Sequence, residues 1–191
     1  MSNELDNPWN EPLPESEIER VKSLKDIQVI FDVGARTSLD YLDIFPDAEY
    51  HLFEPYPPFY TYLQKVTAHN PKIHVNPYGL GNAEEIKHYD IKMQSFAFKE
   101  SDGSSGADLP LSTLNKYIHD NNIKRIDFLK IDTEKYDYLV LQGGNEAIGM
   151  ARYIQYETWN EPENYIMSEM LKHKYTCEDI GLRNMFCTLN E

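Results

Sequence analysis

Positive charge is scarce in this sequence. Of its 191 residues, 18 are Lys or Arg and 32 are Asp or Glu, so the formal net charge is -14. A chain of this charge repels phosphate backbones and anionic lipid headgroups, which argues against a nucleic-acid partner and against docking on a membrane. No run approaches the ~20 apolar residues of a membrane-spanning helix. The first residues, 1–6, are acidic, whereas a secretory signal begins basic and then becomes apolar. We therefore expect a soluble, cytoplasmic protein.

Cysteine is also rare, with only Cys177 and Cys187 near the C-terminus. Two such residues can face each other across a hairpin and stay reduced, packed thiols, and we expect this state in a cytoplasmic protein. The length suits one domain that buries about two-thirds of its unfolded surface without disulfides. Residues 1–14, with three prolines, predict a flexible arm, and residues 15–191 predict a single domain.

Short apolar runs alternate with segments whose apolar residues recur at helical spacing. The runs that predict strands are 27–33, 49–54, 72–76, 126–131 and 152–156. The helical segments are 36–45, a helix from Pro57, 111–121, 136–143 and 160–173, preceded by a capping box of Ser16 and Glu19. Runs 175–180 and 184–189 predict a C-terminal antiparallel hairpin. Together these predict an α/β fold, a doubly wound, mostly parallel sheet with helices on both faces.

The pattern loosens over residues 83–109, which we interpret as an insertion. Runs 86–91 and 94–98 are candidates for extra strands, and 102–106 for a flexible loop. This insertion is one candidate for recognising an acceptor molecule. The arm and a second subunit are the others.

Carboxylates end four of the predicted strands, namely Asp32, Glu54, Asp132 and Glu157. In a doubly wound sheet, ligands lie beyond the carboxyl ends of the strands, at the point where the strand order reverses. One carboxylate in such a place could be accidental. Four of them predict an acidic crevice.

Gly34 and Glu54 predict a nucleoside cofactor in that crevice. Gly34 follows a strand and precedes a helical segment, so backbone can approach a ligand there. Glu54, 22 residues after Asp32, stands about where an acidic side chain would accept hydrogen bonds from ribose hydroxyls. The alternative is a tight turn and a solvated glutamate. A dinucleotide would require two further glycines in the G-x-G-x-x-G pattern, which are missing. An acidic crevice suits S-adenosylmethionine, which carries a sulfonium and an ammonium group, better than it suits pyrophosphate.

Three blocks then resemble a known family. They are Val29-Ile-Phe-Asp-Val-Gly-Ala35, His51-Leu-Phe-Glu-Pro55 and Ile126-Asp-Phe-Leu-Lys-Ile-Asp-Thr-Glu134. Over about residues 26–190 the chain resembles the FkbM-type S-adenosylmethionine-dependent methyltransferases. The resemblance implies a class I, Rossmann-like fold and methylation of a hydroxyl on a sugar, a glycan or a secondary metabolite.

Position by position, the resemblance implies a set of cofactor contacts. Gly34 and Ala35 would face the methionine part, Glu54 the ribose, Leu80 the adenine, and Asp132 the methyl donor. The full expected set is Asp32, Gly34, Ala35, Arg36, Ser38, Glu54, Tyr56, Gly79, Leu80 and Asp132.

The chain also departs from the family at three places. Where the family often has Asn and a second Gly in its first loop, this chain has Arg36 and Ser38. Where the family often has Gly after Asp-x-Glu, this chain has Lys135. These changes motivate an alternative, a catalytically impaired binding module or partner subunit.

A positioned base that takes the proton of the hydroxyl accelerates methyl transfer to its oxygen. Asp132, Glu134 and Glu157 are the candidates, and His88 in the insertion is a secondary one. The three carboxylates could instead hold Mg²⁺ and a vicinal diol, or be structural. Trp159 is a candidate for stacking on a sugar ring.

The remaining expectations concern other histidines and partners. His51 and His74 fall within strands, where packing explains them, and the His and Cys spacings match no zinc site. The expected partner is a small-molecule or glycan acceptor. A homo-oligomer or a larger multidomain protein is the expected context.

Overall fold

The computed structural model describes residues 13–90, 99–100, 106–159 and 162–190. The predicted arm lies almost wholly outside these ranges, as do the predicted strand 94–98 and most of the loop 102–106. The strands are β1 (Val29–Val33), β2 (Glu49–Phe53), β3 (Ile73–Asn76), β4 (Gly79–Gly81), β5 (Glu85–Asp90), β6 (Lys99–Glu100), β7 (Ala107–Thr113), β8 (Ile126–Ile131), β9 (Ala151–Glu157), β10 (Tyr175–Gly181) and β11 (Asn184–Leu189).

Seven of these strands form the main sheet, in the order β10-β11-β9-β8-β1-β2-β3. The five strands from β9 to β3 are parallel to one another. Strand β11 is antiparallel to both β9 and β10, so the predicted hairpin is confirmed. The chain builds β2 and β3 on one side of β1 and then continues at β8 on the other side. The order therefore reverses between β1 and β8, which is where a crevice is expected.

The helices are α1 (Glu15–Lys22), α2 (Pro57–Thr67), α3 (Leu114–Asp120), α4 (Asp137–Gly143) and α5 (Glu163–Leu171). Helix α2 begins with two prolines, whose fixed φ suits a first turn, and it buries Phe59, Leu63 and Thr67 at intervals of four residues. Adjacent residues of β1 point to opposite faces of the sheet, so Ile30 packs in one core cluster and Phe31 in another. Helices α3, α4 and α5 cover the Phe31 face, and α1 and α2 cover the Ile30 face. The prediction of an α/β sheet with helices on both faces is confirmed.

The insertion contributes to a second sheet, of order β4-β7-β5-β6, although β4 precedes residue 83 and β7 extends beyond residue 109. Strand β4 pairs with β7 in parallel, and β7 pairs with β5 in antiparallel fashion. The predicted strand 86–91 is thus observed as β5, although the sequence did not predict that it joins a separate sheet. The predicted helix 111–121 starts too early, because Leu111 belongs to β7. The Thr113 hydroxyl caps α3 by accepting the Lys116 N–H at 3.2 Å.

Two other local predictions are wrong. Residues 36–45 form no α-helix, only a 3-10 turn over Asp40–Asp43. The Ser38 hydroxyl bonds to Asp40, a local side-chain contact that competes with helical bonding. The capping box of Ser16 is also absent, because α1 begins at Glu15, two residues earlier than that box predicts, and has Pro14 at its N-cap.

The expectation of reduced thiols is wrong as well. Cys177 and Cys187 lie directly opposite each other in the β10–β11 register, and their sulfurs form a disulfide. Disulfides persist in oxidising environments, so the cysteines give no support to a cytoplasmic location. Within the described part of the chain, none of the helices has the length and apolarity needed to span a membrane.

Candidate active site

A cleft of about 770 Å³, open to solvent, lies at the carboxyl ends of β1, β2 and β8. It contains eight of the predicted site residues, namely Gly34, Arg36, Glu54, Tyr56, Gly79, Leu80, Asp132 and Glu134. The second sheet contributes one wall through Leu80, Tyr89 and Leu111. Of the four strand-end carboxylates that were predicted to line one crevice, Glu54 and Asp132 line this cleft, whereas Asp32 and Glu157 do not.

Gly34 brings two strand ends close together. Its φ is +87°, and a Cβ at this position would lie 1.9 Å from the backbone oxygen of Asp132. Its N–H donates to the carbonyl of Phe53 at 3.0 Å. Only glycine therefore permits this approach of the loops that follow β1 and β8.

Glu54 is held rigidly at the end of β2. Its side chain is 3% exposed, and its two oxygens accept hydrogen bonds from the backbone N–H groups of Tyr56 and Arg36 at 2.8 and 2.9 Å. Burial raises the pKa of Glu54 to about 7, although these two hydrogen bonds oppose the shift. Each oxygen retains a second lone pair, so the carboxylate is a pre-positioned acceptor for ligand hydroxyls.

Lys130 is a buried cation between two of the strand-end carboxylates. Its ammonium lies 3.2 Å from Asp132 Oδ2 and 3.7 Å from Asp32 Oδ1. Burial alone would lower the pKa of Lys130, but Asp32 and Asp132 outweigh it and raise the pKa above its usual value. Burial raises the pKa of Asp32 to about 6 even though Lys130 opposes this. Sequence reasoning missed Lys130, although a lone cation inside an apolar strand beside Asp132 was a usable signal.

Three residues of the cleft loops have left-handed backbone. The φ angles are +50° at Arg36, +53° at Glu134 and +87° at Lys135. Non-glycine residues rarely adopt this region, and Asn tolerates it better than most. Arg36 and Lys135 stand where the family often has Asn and Gly, so the backbone gives a physical reason for those preferences. In this chain, Arg36 and Lys135 adopt the left-handed backbone at the cost of local strain.

Asp137 ties together the loops that follow β8 and β9. One of its oxygens accepts from the hydroxyl of Thr133 at 2.9 Å, and the other accepts from the N–H of Glu157 at 3.0 Å. Burial raises the pKa of Asp137 to about 7. Sequence reasoning missed this residue, because its role depends on a contact across 20 positions of the chain.

Five predicted residues lie away from the cleft, and four of them are Ala35, Ser38, Asp32 and His88. Ala35 packs in the core, 1% exposed, and Ser38 and Asp32 line a separate small cavity behind β1. His88 contacts Asp108 at 2.7 Å, and only its neighbour Tyr89 lines the cleft. Adjacent strand residues point to opposite faces, so β5 cannot direct both side chains there.

Glu157 lines a neighbouring pocket of about 210 Å³. Its two oxygens contact the Trp159 indole N–H at 2.7 Å and the Arg183 guanidinium at 3.1 Å. Burial, followed by Asp132 and Glu134, raises the pKa of Glu157 to about 7. The Arg183 guanidinium also lies 3.7 Å from the centre of the Trp159 ring. At least one face of that ring is therefore already covered.

The predicted Mg²⁺ ligands do not converge. Among the described residues, the group of three His, Cys, Asp or Glu side chains whose ligand atoms meet within 4.8 Å is Glu49, His51 and His74. Asp132, Glu134 and Glu157 form no such group, and Glu157 lies in a different pocket. The geometry gives the magnesium prediction no support.

Comparisons with known proteins agree with this arrangement. A family model described as the methyltransferase FkbM domain matches residues 32–175. The structure of the FkbM methyltransferase from Methylobacillus flagellatus KT superposes with a TM-score of 0.61 at 15% identity, covering 86% of this chain and 45% of that one. The N-terminal domain of human METTL16 in complex with SAH superposes with a TM-score of 0.54 at 12% identity, covering 95% of this chain and 73% of that one. No curated protein matches the sequence.

The two structural matches are too low in identity to show more than the fold. The chain spans less than half the length of the Methylobacillus protein. The family model, in contrast, covers about three quarters of the chain and includes all three sequence blocks that carry the resemblance apart from residues 29–31. This chain therefore belongs to the FkbM methyltransferase family.

Proposed function

We propose that this chain transfers a methyl group from S-adenosylmethionine to a hydroxyl oxygen of a sugar, a glycan or a secondary metabolite. Glu54 carries the proposal, because it is a buried carboxylate fixed by two backbone N–H groups at the edge of a cleft. The METTL16 domain, which has a similar fold, was solved with SAH, the product that remains when S-adenosylmethionine loses its methyl group.

The residues of the cleft fit this cofactor. Glu54 would accept hydrogen bonds from the ribose hydroxyls, and Leu80 and Tyr56 would pack against the adenine. The backbone at Gly34 leaves room for the methionine part, and Asp132 offers a negative charge near it. When bound, the cofactor supplies an electrophilic methyl group on a positively charged sulfur.

The residues then have two tasks, to hold the acceptor oxygen in line and to take its proton. Alignment alone can account for several kcal/mol of a displacement barrier, about 7–11 in the best cases. For the proton, Glu134 is a better base than Asp132, the other candidate base in the cleft. Burial and the neighbouring Asp132 raise its pKa, which makes it a stronger proton acceptor. The carboxylate of Asp132, which is paired with Lys130, would lie close to the sulfonium and complement its positive charge.

The acceptor is proposed to be a small molecule or a glycan. The net charge of -14 opposes binding to a phosphate backbone. The neighbouring pocket with Glu157, Trp159 and Lys135 lies beyond Glu134 and offers polar and aromatic groups for an acceptor.

A second candidate is a methyltransferase-fold binding module. The left-handed backbone at Arg36 and Lys135 favours it, because bulky side chains there reshape the loops around the cleft. Such a module would bind the cofactor and transfer nothing.

The test is an assay of SAH release with a panel of sugars, glycans and hydroxylated metabolites, without added metal. The proposal expects release that depends on one class of acceptor and falls strongly in Glu134→Gln. Tight cofactor binding with no release on any acceptor would favour the binding module instead.

A further inference from the structure

Three potential metal ligands, Glu49, His51 and His74, lie together at the edge of the main sheet and outside the cleft. Glu49 and His51 are two residues apart in β2, so their side chains point to the same face of the sheet. His74 lies directly beside His51 in the register of β2 and β3. Glu49 Oε1 lies 3.4 Å from His51 Nε2 and 3.1 Å from His74 Nε2. One carboxylate oxygen therefore approaches both imidazole nitrogens.

His51 is oriented as a ligand would be. Its side chain is buried, and its Nδ1 lies 2.7 Å from the Tyr117 hydroxyl. Its Nε2 is also buried and makes no hydrogen bond with any described residue. When Nδ1 carries the hydrogen and donates it to Tyr117, Nε2 presents a lone pair toward Glu49 and His74. A partner that fixes the far nitrogen of a histidine is typical of metal sites.

The distances suit a small divalent ion. Tetrahedral zinc, with ligand bonds of about 2.0–2.2 Å, separates its ligand atoms by about 3.3 Å. The two distances to Glu49 Oε1 lie on either side of that value. The rings of His51 and His74 stack at 4.9 Å between centroids, so the half-exposed His74 must turn to direct its nitrogen at the ion.

The chemistry of the ligands selects the metal. Two imidazoles and one carboxylate suit zinc and similar transition metals, whereas Mg²⁺ and Ca²⁺ prefer oxygen ligands. We propose that Glu49, His51 and His74 bind one Zn²⁺, with water completing the coordination.

Such a site would be structural. It would fasten the edge strand β3 to β2, and through the Tyr117 hydroxyl it would also connect to α3. An ion that binds only the folded chain stabilises it in proportion to its saturation. The site is independent of the proposed methyl transfer, because none of its residues lines the cleft.

The test is calorimetric titration of Zn²⁺ into the full chain, without an affinity tag and stripped of metal, in excess Mg²⁺. Mg²⁺ occupies carboxylate clusters and leaves imidazole sites free. We expect one ion per chain and a rise in the melting temperature. His74→Ala and Glu49→Gln should each weaken binding at least tenfold, and both side chains are half-exposed, so the fold should survive.

The matched control is His119→Ala. His119 lies 2.9 Å from Glu146 on the surface and imitates a simple histidine–carboxylate pair. Binding should be unchanged in this variant, and Co²⁺ should give visible absorption bands in the intact chain that His74→Ala lacks. The proposal is overturned if Zn²⁺ does not saturate at one ion per chain. It is equally overturned if His74→Ala binds as tightly as the intact chain, or if His119→Ala loses as much affinity.

Discussion

A methyl group on Gly34 would lie 1.9 Å from the backbone oxygen of Asp132, so these two residues fix the distance between the loops that follow β1 and β8. Both loops line the cleft. The shape of the cleft therefore depends on the absence of a side chain at Gly34.

Gly34→Ala should destabilise the protein more than its backbone angle alone explains. Left-handed backbone costs alanine about 1–2 kcal/mol relative to glycine. The clash with backbone should add about 1–3 kcal/mol, as overpacking does. Denaturant unfolding measures the free energy of unfolding of both proteins.

Gly181→Ala is the matched control for this substitution. Gly181 has a φ of +89°, but a Cβ there would meet nothing within 4 Å. Only the cost of the backbone angle should remain. Equal losses in the two variants would show that the approach to Asp132 does not constrain the fold.

Lys130→Met should be strongly destabilising. Removing one partner of a buried ion pair leaves the other charge uncompensated, at a cost of about 3–5 kcal/mol. The double variant Lys130→Met with Asp32→Asn should recover part of that loss, because Asp32 is the buried partner. Chemical unfolding of the two single variants and the double variant gives the coupling free energy. Strictly additive losses would contradict the pairing.

Glu134→Gln should lower turnover by about 10²–10⁴-fold, the usual contribution of a positioned base, and change cofactor affinity little. In the intact enzyme, turnover should rise with pH through the raised pKa of Glu134, because only the carboxylate form accepts a proton. That rise should vanish in the variant. A pH–rate profile with the same low-pH limb in both proteins would remove Glu134 from the role of base.

Stability should fall as pH rises from about 4 toward 7. Burial raises the pKa values of several carboxyl groups, among them Asp32 to about 6 and Glu54, Asp137 and Glu157 to about 7. Between their unfolded and folded pKa values, the folded chain binds more protons than the unfolded chain, so each contribution is complete below the unfolded pKa and is lost as pH rises through the folded one. Burial lowers the pKa of His51 to about 3, so this one group makes stability rise with pH and partly offsets the effect of the carboxyl groups.

Thermal unfolding at pH 5.5 and 7.5 tests this balance. The melting temperature should be higher at pH 5.5, and Asp137→Asn should reduce the difference. Asp108→Asn removes an equal charge from an exposed side chain and should leave the difference unchanged. If the difference in melting temperature between the two pH values became smaller in both variants, general charge repulsion would explain the pH dependence instead.

Most strands of the main sheet could be predicted from the sequence, because they are short apolar runs, and their alternation with helices indicates parallel pairing. The second sheet could not, since pairing between β4, β7 and β5 depends on long-range register. The strand-end rule located Gly34, Glu54 and Asp132 correctly. It did not distinguish side chains that face the cleft from those that face away, as with Asp32.

Lys130 could have been found from the sequence, because it is a lone cation in an apolar strand two residues before Asp132. Asp137, in contrast, acts through its contact with the end of β9, and His51 and His74 come together only because β2 and β3 are neighbours. Spacing along the chain carries no trace of such a pairing. The disulfide was missed because facing cysteines in a hairpin are compatible with either redox state.

The most direct test of the central claim is calorimetric titration of S-adenosylmethionine and SAH into the intact chain, into Glu54→Gln and into the surface control Glu146→Gln. The account predicts one site with a dissociation constant on the order of micromolar. Glu54→Gln should lose about 1.5–3 kcal/mol, or roughly 10- to 150-fold, as for hydrogen bonds to a charged group. Glu146→Gln should bind normally. Absence of binding by the intact chain, or equal binding by Glu54→Gln, would contradict the account.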